Sequence, residues 1–298
     1  MKILFLILIT LTGLQKGKIY YQETERRFLY YLPKTREYSG LIIGLHGGGG
    51  SPESFIKLTR GEFNKLAERR KYIVIYPEAV GKHWNDGRNL SFYASQKMNI
   101  DDTGFIGKLI EDFQKDYPIS SKKAFIVGMS NGGMLALRIA CEMPDRVAAI
   151  GIVAAGMPQN IKNFCKFQKV NVIMFIGDKD PLIPINGGYV HFLRRRLGKV
   201  LSVKEVIQLW IGDKECKPPI VQEIPDRDPD DGSSVLLTKF FCIDGGKFFL
   251  YVINNGGHVW PGGSRYLPEF IIGRSNNDID ATQEIFRFFD EIVKSNNN

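Results

Sequence analysis

The feature that most constrains this chain is the hexapeptide Gly128-Met129-Ser130-Asn131-Gly132-Gly133, set between an apolar run and a helical pattern. Ala124-Phe125-Ile126-Val127 predicts a short buried strand over 124–128, and the spacing of apolar residues over 132–142 predicts a helix. A serine between the two has to occupy a tight strand-to-helix turn. Glycines on either side let the strand and helix backbones approach where side chains would clash. Such a turn presents the Ser130 hydroxyl. It also aims the Asn131 amide, at the head of the helix, toward negative charge developing on a reacting carbonyl. Gly-x-Ser-x-Gly alone is a weak pattern, and its position between strand and helix is what makes it informative.

The rest of the chain supplies the same alternation. Strands are predicted near 27–32, 41–45, 72–76, 147–153, 170–176 and 249–253. Helices are predicted near 53–69, 101–116 and 281–293. No internal repeat or low-complexity linker interrupts them. Strands alternating with helices argue for one mostly parallel central sheet with helices on both faces. The 298 residues suit a single unit of that kind. Segments 81–99 and 212–234 are rich in polar, Gly, Pro and Asp residues and read as long loops, which in a compact fold are usually functional or stapled down. His191 reads as part of a helix.

Chemistry-bearing residues follow the predicted strands. His46-Gly47-Gly48-Gly49-Gly50 comes directly after 41–45, and a glycine run there lets backbone N–H groups turn toward a ligand. Gly47, Gly48 and Asn131 are therefore the candidate oxyanion donors, with His46 ordering the loop. The strand 170–176 leads into Gly177-Asp178-Lys179-Asp180-Pro181, which offers two carboxylates. Asp180, in the turn completed by Pro181 and Pro184, is the stronger candidate acid, and Asp178 the candidate turn cap. His258 lies in Asn255-Gly256-Gly257-His258-Val259-Trp260-Pro261 after the last predicted strand. The order Ser130, Asp180, His258 matches a nucleophile, an orienting acid and a general base. Trp84 and Trp260 are candidate pocket walls. His83 is a loop residue that could line the cleft, and His191 a surface or packing residue.

Other features set bounds. Forty Lys and Arg against 32 Asp and Glu give a net charge of +8, but the cations are scattered and form no nucleic-acid module. Lys2 followed by about a dozen apolar residues predicts a signal peptide over 1–16, too short for a membrane span, with 17–298 as the catalytic domain of a secreted or periplasmic protein. Cys141, Cys165, Cys216 and Cys242 permit two disulfides in three connectivities. Asp226, Asp228, Asp230 and Asp231 fail the spacing of a calcium loop, so no metal and no cofactor is expected.

Taken together, these motifs make the chain resemble the bacterial poly(3-hydroxybutyrate) depolymerase and feruloyl esterase family, of the α/β-hydrolase fold. The likeness runs from about Arg27 to the last helix. Its pieces are Leu45-His46-Gly47-Gly48-Gly49-Gly50-Ser51, Tyr76-Pro77-Glu78, Trp84-Asn85-Asp86-Gly87-Arg88, Asp101-Asp102-Thr103-Gly104-Phe105-Ile106, the Ser130 turn, the stretch 225–232 and Gly257-His258-Val259-Trp260-Pro261-Gly262-Gly263. The resemblance implies catalytic roles for Ser130, Asp180 and His258, and the pairings Cys216–Cys242 and Cys141–Cys165. It departs at Gly48, where many relatives carry Cys, and at Thr103, where Val is usual. With no polymer-binding segment read after the catalytic unit, the expected substrates are soluble or loosely bound: small aryl esters, polysaccharide-linked esters or hydroxyalkanoate oligomers. A peptidase of the prolyl-oligopeptidase kind, an acyltransferase and a non-catalytic binding protein on the same fold are the rival readings.

Overall fold

The computed structural model describes residues 13–165 and 170–296. In chain order its elements are β1 (Leu14–Tyr21), β2 (Thr24–Tyr31), β3 (Gly40–Leu45), α1 (Pro52–Leu58), α2 (Glu62–Arg70), β4 (Tyr72–Pro77), α3 (Ala94–Lys97), α4 (Asp102–Asp116), β5 (Ala124–Met129), α5 (Asn131–Glu142), β6 (Val147–Val153) and β7 (Asn171–Gly177). They continue with β8 (Gly188–Phe192), β9 (Arg195–Val200), α6 (Val203–Ile211), β10 (Ile220–Ile224), β11 (Ser234–Phe241), β12 (Lys247–Asn254), α7 (Glu269–Ile272) and α8 (Ala281–Asn296).

Ten strands form one sheet in the order β1-β2-β4-β3-β5-β6-β7-β12-β11-β10. The central run from β4 to β12 is parallel, and antiparallel strands flank it on both edges. Every residue of β3, β4, β5 and β6 is buried, which is why these strands read as unbroken apolar runs. Alternate side chains feed two cores. Leu41, Ile43 and Leu45 pack with residues of α4, α5 and α6, while Ile42 and Val74 pack with Phe55, Phe63 and Phe286 of α1, α2 and α8. This is the α/β-hydrolase architecture expected from the alternation of strands and helices.

Because β3, β5, β7 and β12 run parallel, their carboxyl ends emerge on one edge of the sheet. The four loops that carry the sequence motifs therefore converge there. Two disulfides, Cys141–Cys165 and Cys216–Cys242, join the pairs that the family resemblance implies. The first ties the end of α5 to the segment beyond β6, and the second ties the base of the 212–234 segment to the end of β11.

Several local expectations are corrected. The helix foreseen over 53–69 is two helices, broken where Gly61 takes a left-handed φ of 68°. His191 is in strand β8, not a helix, and is exposed, as is Tyr189, on either side of buried Val190. The 212–234 segment contains β10, a short edge strand with no buried residue. Residues 14–16, expected at the end of a leader, pair with Tyr31, Tyr30 and Leu29 in β1. The apolar run before them lies outside the described residues. Among the described residues no helix is long and apolar enough to cross a membrane.

Candidate active site

Ser130 sits between β5 and α5 with φ 54° and ψ −122°, a backbone conformation that costs a non-glycine residue about 1–3 kcal/mol. The turn is held by Ser130 N–H donating to the Val153 carbonyl at 3.0 Å and by its own carbonyl accepting from Met134 N–H at 2.9 Å. The glycines around it are demanded by contact. A Cβ on Gly128 would lie 2.3 Å from the Gly132 carbonyl carbon, and one on Gly132 would lie 2.3 Å from the Leu45 carbonyl oxygen. The serine side chain does not cap α5, and it opens instead onto a cavity of about 1130 Å3.

His258 and Asp180 complete the arrangement on that side. His258 lines the same cavity, with its ring almost wholly enclosed. Its Nδ1 faces Asp180 Oδ2 at 2.7 Å, and both side chains are at most 1% exposed. The other Asp180 oxygen, Oδ1, accepts from the backbone N–H groups of Leu182 and Ile183 at 2.8 and 2.9 Å. The carboxylate is thereby oriented before it meets the imidazole, and it selects the tautomer with hydrogen on Nδ1, leaving Nε2 as a base. Asp178 is occupied differently, accepting from Asn255 N–H at 2.7 Å in a partly exposed turn. Tyr266 donates to the His258 carbonyl at 3.1 Å.

Gly47, Gly48 and Asn131 line the cavity beside Ser130, and their orientation can be traced peptide by peptide. The His46 carbonyl accepts from Trp84 Nε1 at 2.9 Å, so the N–H of Gly47, across the same peptide plane, points the opposite way. The Gly47 carbonyl accepts from His46 Nδ1 at 2.8 Å and from Gly50 N–H at 3.1 Å, which likewise turns the Gly48 N–H outward. His46 Nε2 in turn accepts from Ala79 N–H at 3.2 Å. Burial of this ring lowers its pKa to about 4, so it stays neutral and holds one tautomer. Among the described residues no acceptor pairs with the amides of Gly47, Gly48 or Asn131, so these three donors are not spent inside the protein.

The Asn131 side chain is anchored behind the site. Its Oδ1 accepts from Trp84 N–H at 2.7 Å, and its Nδ2 donates to the Trp84 carbonyl at 3.1 Å and to buried Asp86 at 2.6 Å. Asp86 also binds Arg88, whose guanidinium reaches the Leu197 carbonyl of β9 at 2.8 Å.

Two expectations about the pocket are overturned. Trp84 and Trp260 are not its walls. Both are buried, at 0% and 3% exposure, and both spend their indole N–H inside the protein, on the His46 carbonyl and on Thr282 Oγ1 at 3.1 Å. Trp260 packs on Phe55 and Phe63. The aromatic walls are instead Phe92 and Tyr93, from a segment read as a loop, Phe192, from one read as a helix, and Tyr266. His83 also faces the cavity, stacked on Tyr93 with ring centres 3.8 Å apart, and burial lowers its pKa. His191 lines the cavity too, against its reading as a surface or packing residue. The aromatic content of 81–99 was the available signal for these walls. The acidic 226–231 turn is consumed by internal bonds: Asp231 accepts from Ser233 and Asn277, and Asp228 from Asn277.

Residues 32–200 match the family model described as phospholipase/carboxylesterase. The chain belongs to that family. Proteins named as esterases are similar to it over much of its length. A Nocardia uniformis subsp. tsuyamanensis protein named "Putative esterase NocK" is 23% identical over 86% of this chain and 75% of its own. An Aspergillus niger protein named "Probable feruloyl esterase C" is 22% identical over 73% of this chain and 69% of its own. Among solved structures, an acetyl xylan esterase from Aspergillus awamori superposes with a TM-score of 0.53 at 12% identity, over 82% of this chain and 94% of that one, and shares the fold. This carboxylesterase is thus an α/β-hydrolase whose strand ends carry a serine, a histidine–aspartate pair and unpaired backbone amides.

Proposed function

We propose that the protein is an exported serine esterase that hydrolyses carboxylic esters through an acyl-enzyme on Ser130. The observation that carries this reading is the 2.7 Å bond from His258 to a buried, pre-oriented Asp180 on the cavity that Ser130 enters. His258 Nε2 takes the Ser130 proton as Oγ attacks the ester carbonyl. The Asn131 amide, with those of Gly47 and Gly48, receives the oxyanion. Collapse expels the alcohol, which leaves with the proton from His258. Water then adds to the acyl-enzyme by the same path, releasing the acid and restoring the serine hydroxyl.

The aromatic walls favour an acyl or alcohol part with a flat or short apolar group, such as a feruloyl or acetyl ester. Names of relatives point the same way. Two disulfides support an oxidising destination and thus export, with the catalytic domain following the apolar leader. The test is hydrolysis of 4-nitrophenyl acetate and butyrate, methyl ferulate and a 3-hydroxybutyrate oligomer by the purified protein and its Ser130→Ala variant. Turnover that falls about 10^4-fold or more in the variant supports the reading. Equal rates in both proteins, or no ester turned over, would overturn it.

A further inference from the structure

The cavity in front of Ser130 carries charge of one sign. Among the described residues that line it, Arg88, Arg194 and Arg195 are cationic and none is Asp or Glu. Arg88 is already answered, because buried Asp86 faces its guanidinium at 2.7 Å. Arg194 and Arg195 are not. Both are exposed, at and just beyond the turn between β8 and β9, and no carboxylate among the described residues pairs with either. The acid nearest the chemistry, Asp180, has its oxygens taken by His258, Leu182 and Ile183.

The hairpin holds further positive charge close by. Arg196 and Lys199 both lie over the ring of Tyr189, at 4.8 and 4.9 Å, and Arg195 stands 6.0 Å from the centre of Phe92 on the cavity wall. Aromatic faces of this kind keep cations near the mouth without neutralising them. A guanidinium presents paired donors that match the two oxygens of a carboxylate. An uncompensated arginine pair on a wall made largely of apolar and aromatic side chains is therefore suited to receive an anion together with the apolar part that bears it.

We infer that this site prefers esters carrying a carboxylate on the acyl or alcohol portion, and that Arg194 and Arg195 are the specificity-determining residues that hold it. The inference rests on the reading that Ser130 turns over esters. Each solvent-exposed pairing contributes a few-fold, so the two arginines together set a preference of about tenfold over a neutral counterpart. Because the contact is open to solvent, the preference shrinks as salt is added.

Two matched pairs test this. Mono(4-nitrophenyl) adipate against 4-nitrophenyl hexanoate places the carboxylate on the acyl side. 4-Acetoxybenzoate against its methyl ester places it on the alcohol side. For each pair the ratio of kcat/KM, anionic over neutral, is corrected for the spontaneous hydroxide rate. The expected result is a ratio of about ten in one or both pairs at low salt. It falls toward one with sodium chloride and in the Arg194→Gln/Arg195→Gln double variant, and returns only in part in the Arg194→Lys/Arg195→Lys variant, which keeps the charge but not the paired donors. The pair that responds locates the anion. Turnover of the neutral esters with both ratios at or below one would overturn the inference while leaving the esterase reading intact. A ratio above one that survives neutralisation of both arginines would overturn their assignment. No turnover of any ester would sink the esterase reading itself.

Discussion

Asp180→Asn is the sharpest probe of the proposed chemistry, because the substitution preserves shape and reverses one hydrogen-bond polarity. In the native site Oδ1 accepts from two backbone N–H groups and Oδ2 accepts from His258 Nδ1. An asparagine cannot serve all three donors. Turning its NH2 toward Leu182 and Ile183 would set donor against donor twice, so the oxygen keeps those two bonds and the NH2 faces His258. The imidazole then has to accept at Nδ1 and carry its hydrogen on Nε2, where it cannot take the serine proton. Both side chains are at most 1% exposed, so water cannot repair the mismatch. The loss expected from a trapped tautomer is about 10^4-fold in kcat/KM, or about 5.5 kcal/mol of transition-state stabilisation. The assay is steady-state hydrolysis of 4-nitrophenyl butyrate at neutral pH, with thermal unfolding alongside to show that the variant is folded. Asp178→Asn is the control, since its carboxylate serves only a partly exposed turn, and it should stay within about threefold of the native rate. A folded Asp180→Asn protein that keeps more than a tenth of native activity, or an Asp178→Asn protein that loses as much, would refute the tautomer argument.

Two further outcomes follow from the same geometry. Burial holds His46 neutral in the folded state down to about pH 4, whereas in the unfolded chain it titrates near 6.5. The unfolded state therefore binds the extra proton between these values. Its contribution is fully present above pH 6.5 and falls as pH drops through the window, by about 3 kcal/mol in all. Denaturant midpoints measured across that range should slope less in His46→Gln, and an unchanged slope would remove His46 from the account. Gly132→Ala would force a Cβ to 2.3 and 2.5 Å from the carbonyl oxygens of Leu45 and His46, both backbone atoms that cannot swing aside. It should cost about 3 kcal/mol and separate the serine turn from the glycine loop. Gly47→Ala meets nothing closer than 3.6 Å and should unfold at the native temperature, so a loss of stability there would contradict the packing described.

Much of this was legible in the sequence because the central strands bury both faces and so announce themselves as continuous apolar runs. Motifs at the ends of such strands inherit their positions from the parallel sheet, which is why the residues of the serine turn, the glycine loop and the two later loops could be expected on one edge. What escaped was the edge and the rim. Strand β10 has no buried residue, and β8 has only Val190, so neither carries a strong pattern. The two tryptophans were misread because aromatic residues beside functional motifs can serve either cavity or core. Their indole N–H partners, invisible in one dimension, decided for the core. The arginines of the hairpin read as part of a solvated basic surface, since nothing in sequence spacing brings 194 and 195 to the wall of the cavity that Ser130 lines.

Arg88 also governs how this enzyme can diverge. Its guanidinium grips the Leu197 carbonyl, its stem packs against Gly198, and Asp86 connects it to Asn131. The hairpin is thus anchored at its returning strand, within two bonded partners of Asn131, the residue whose amide is proposed to receive the oxyanion. Its tip at Leu193 stands 76% exposed. Length and chemistry at the tip can drift freely, while the anchored strand keeps the amide in register. A lineage built on this scaffold can exchange one substrate rim for another without rebuilding its chemistry.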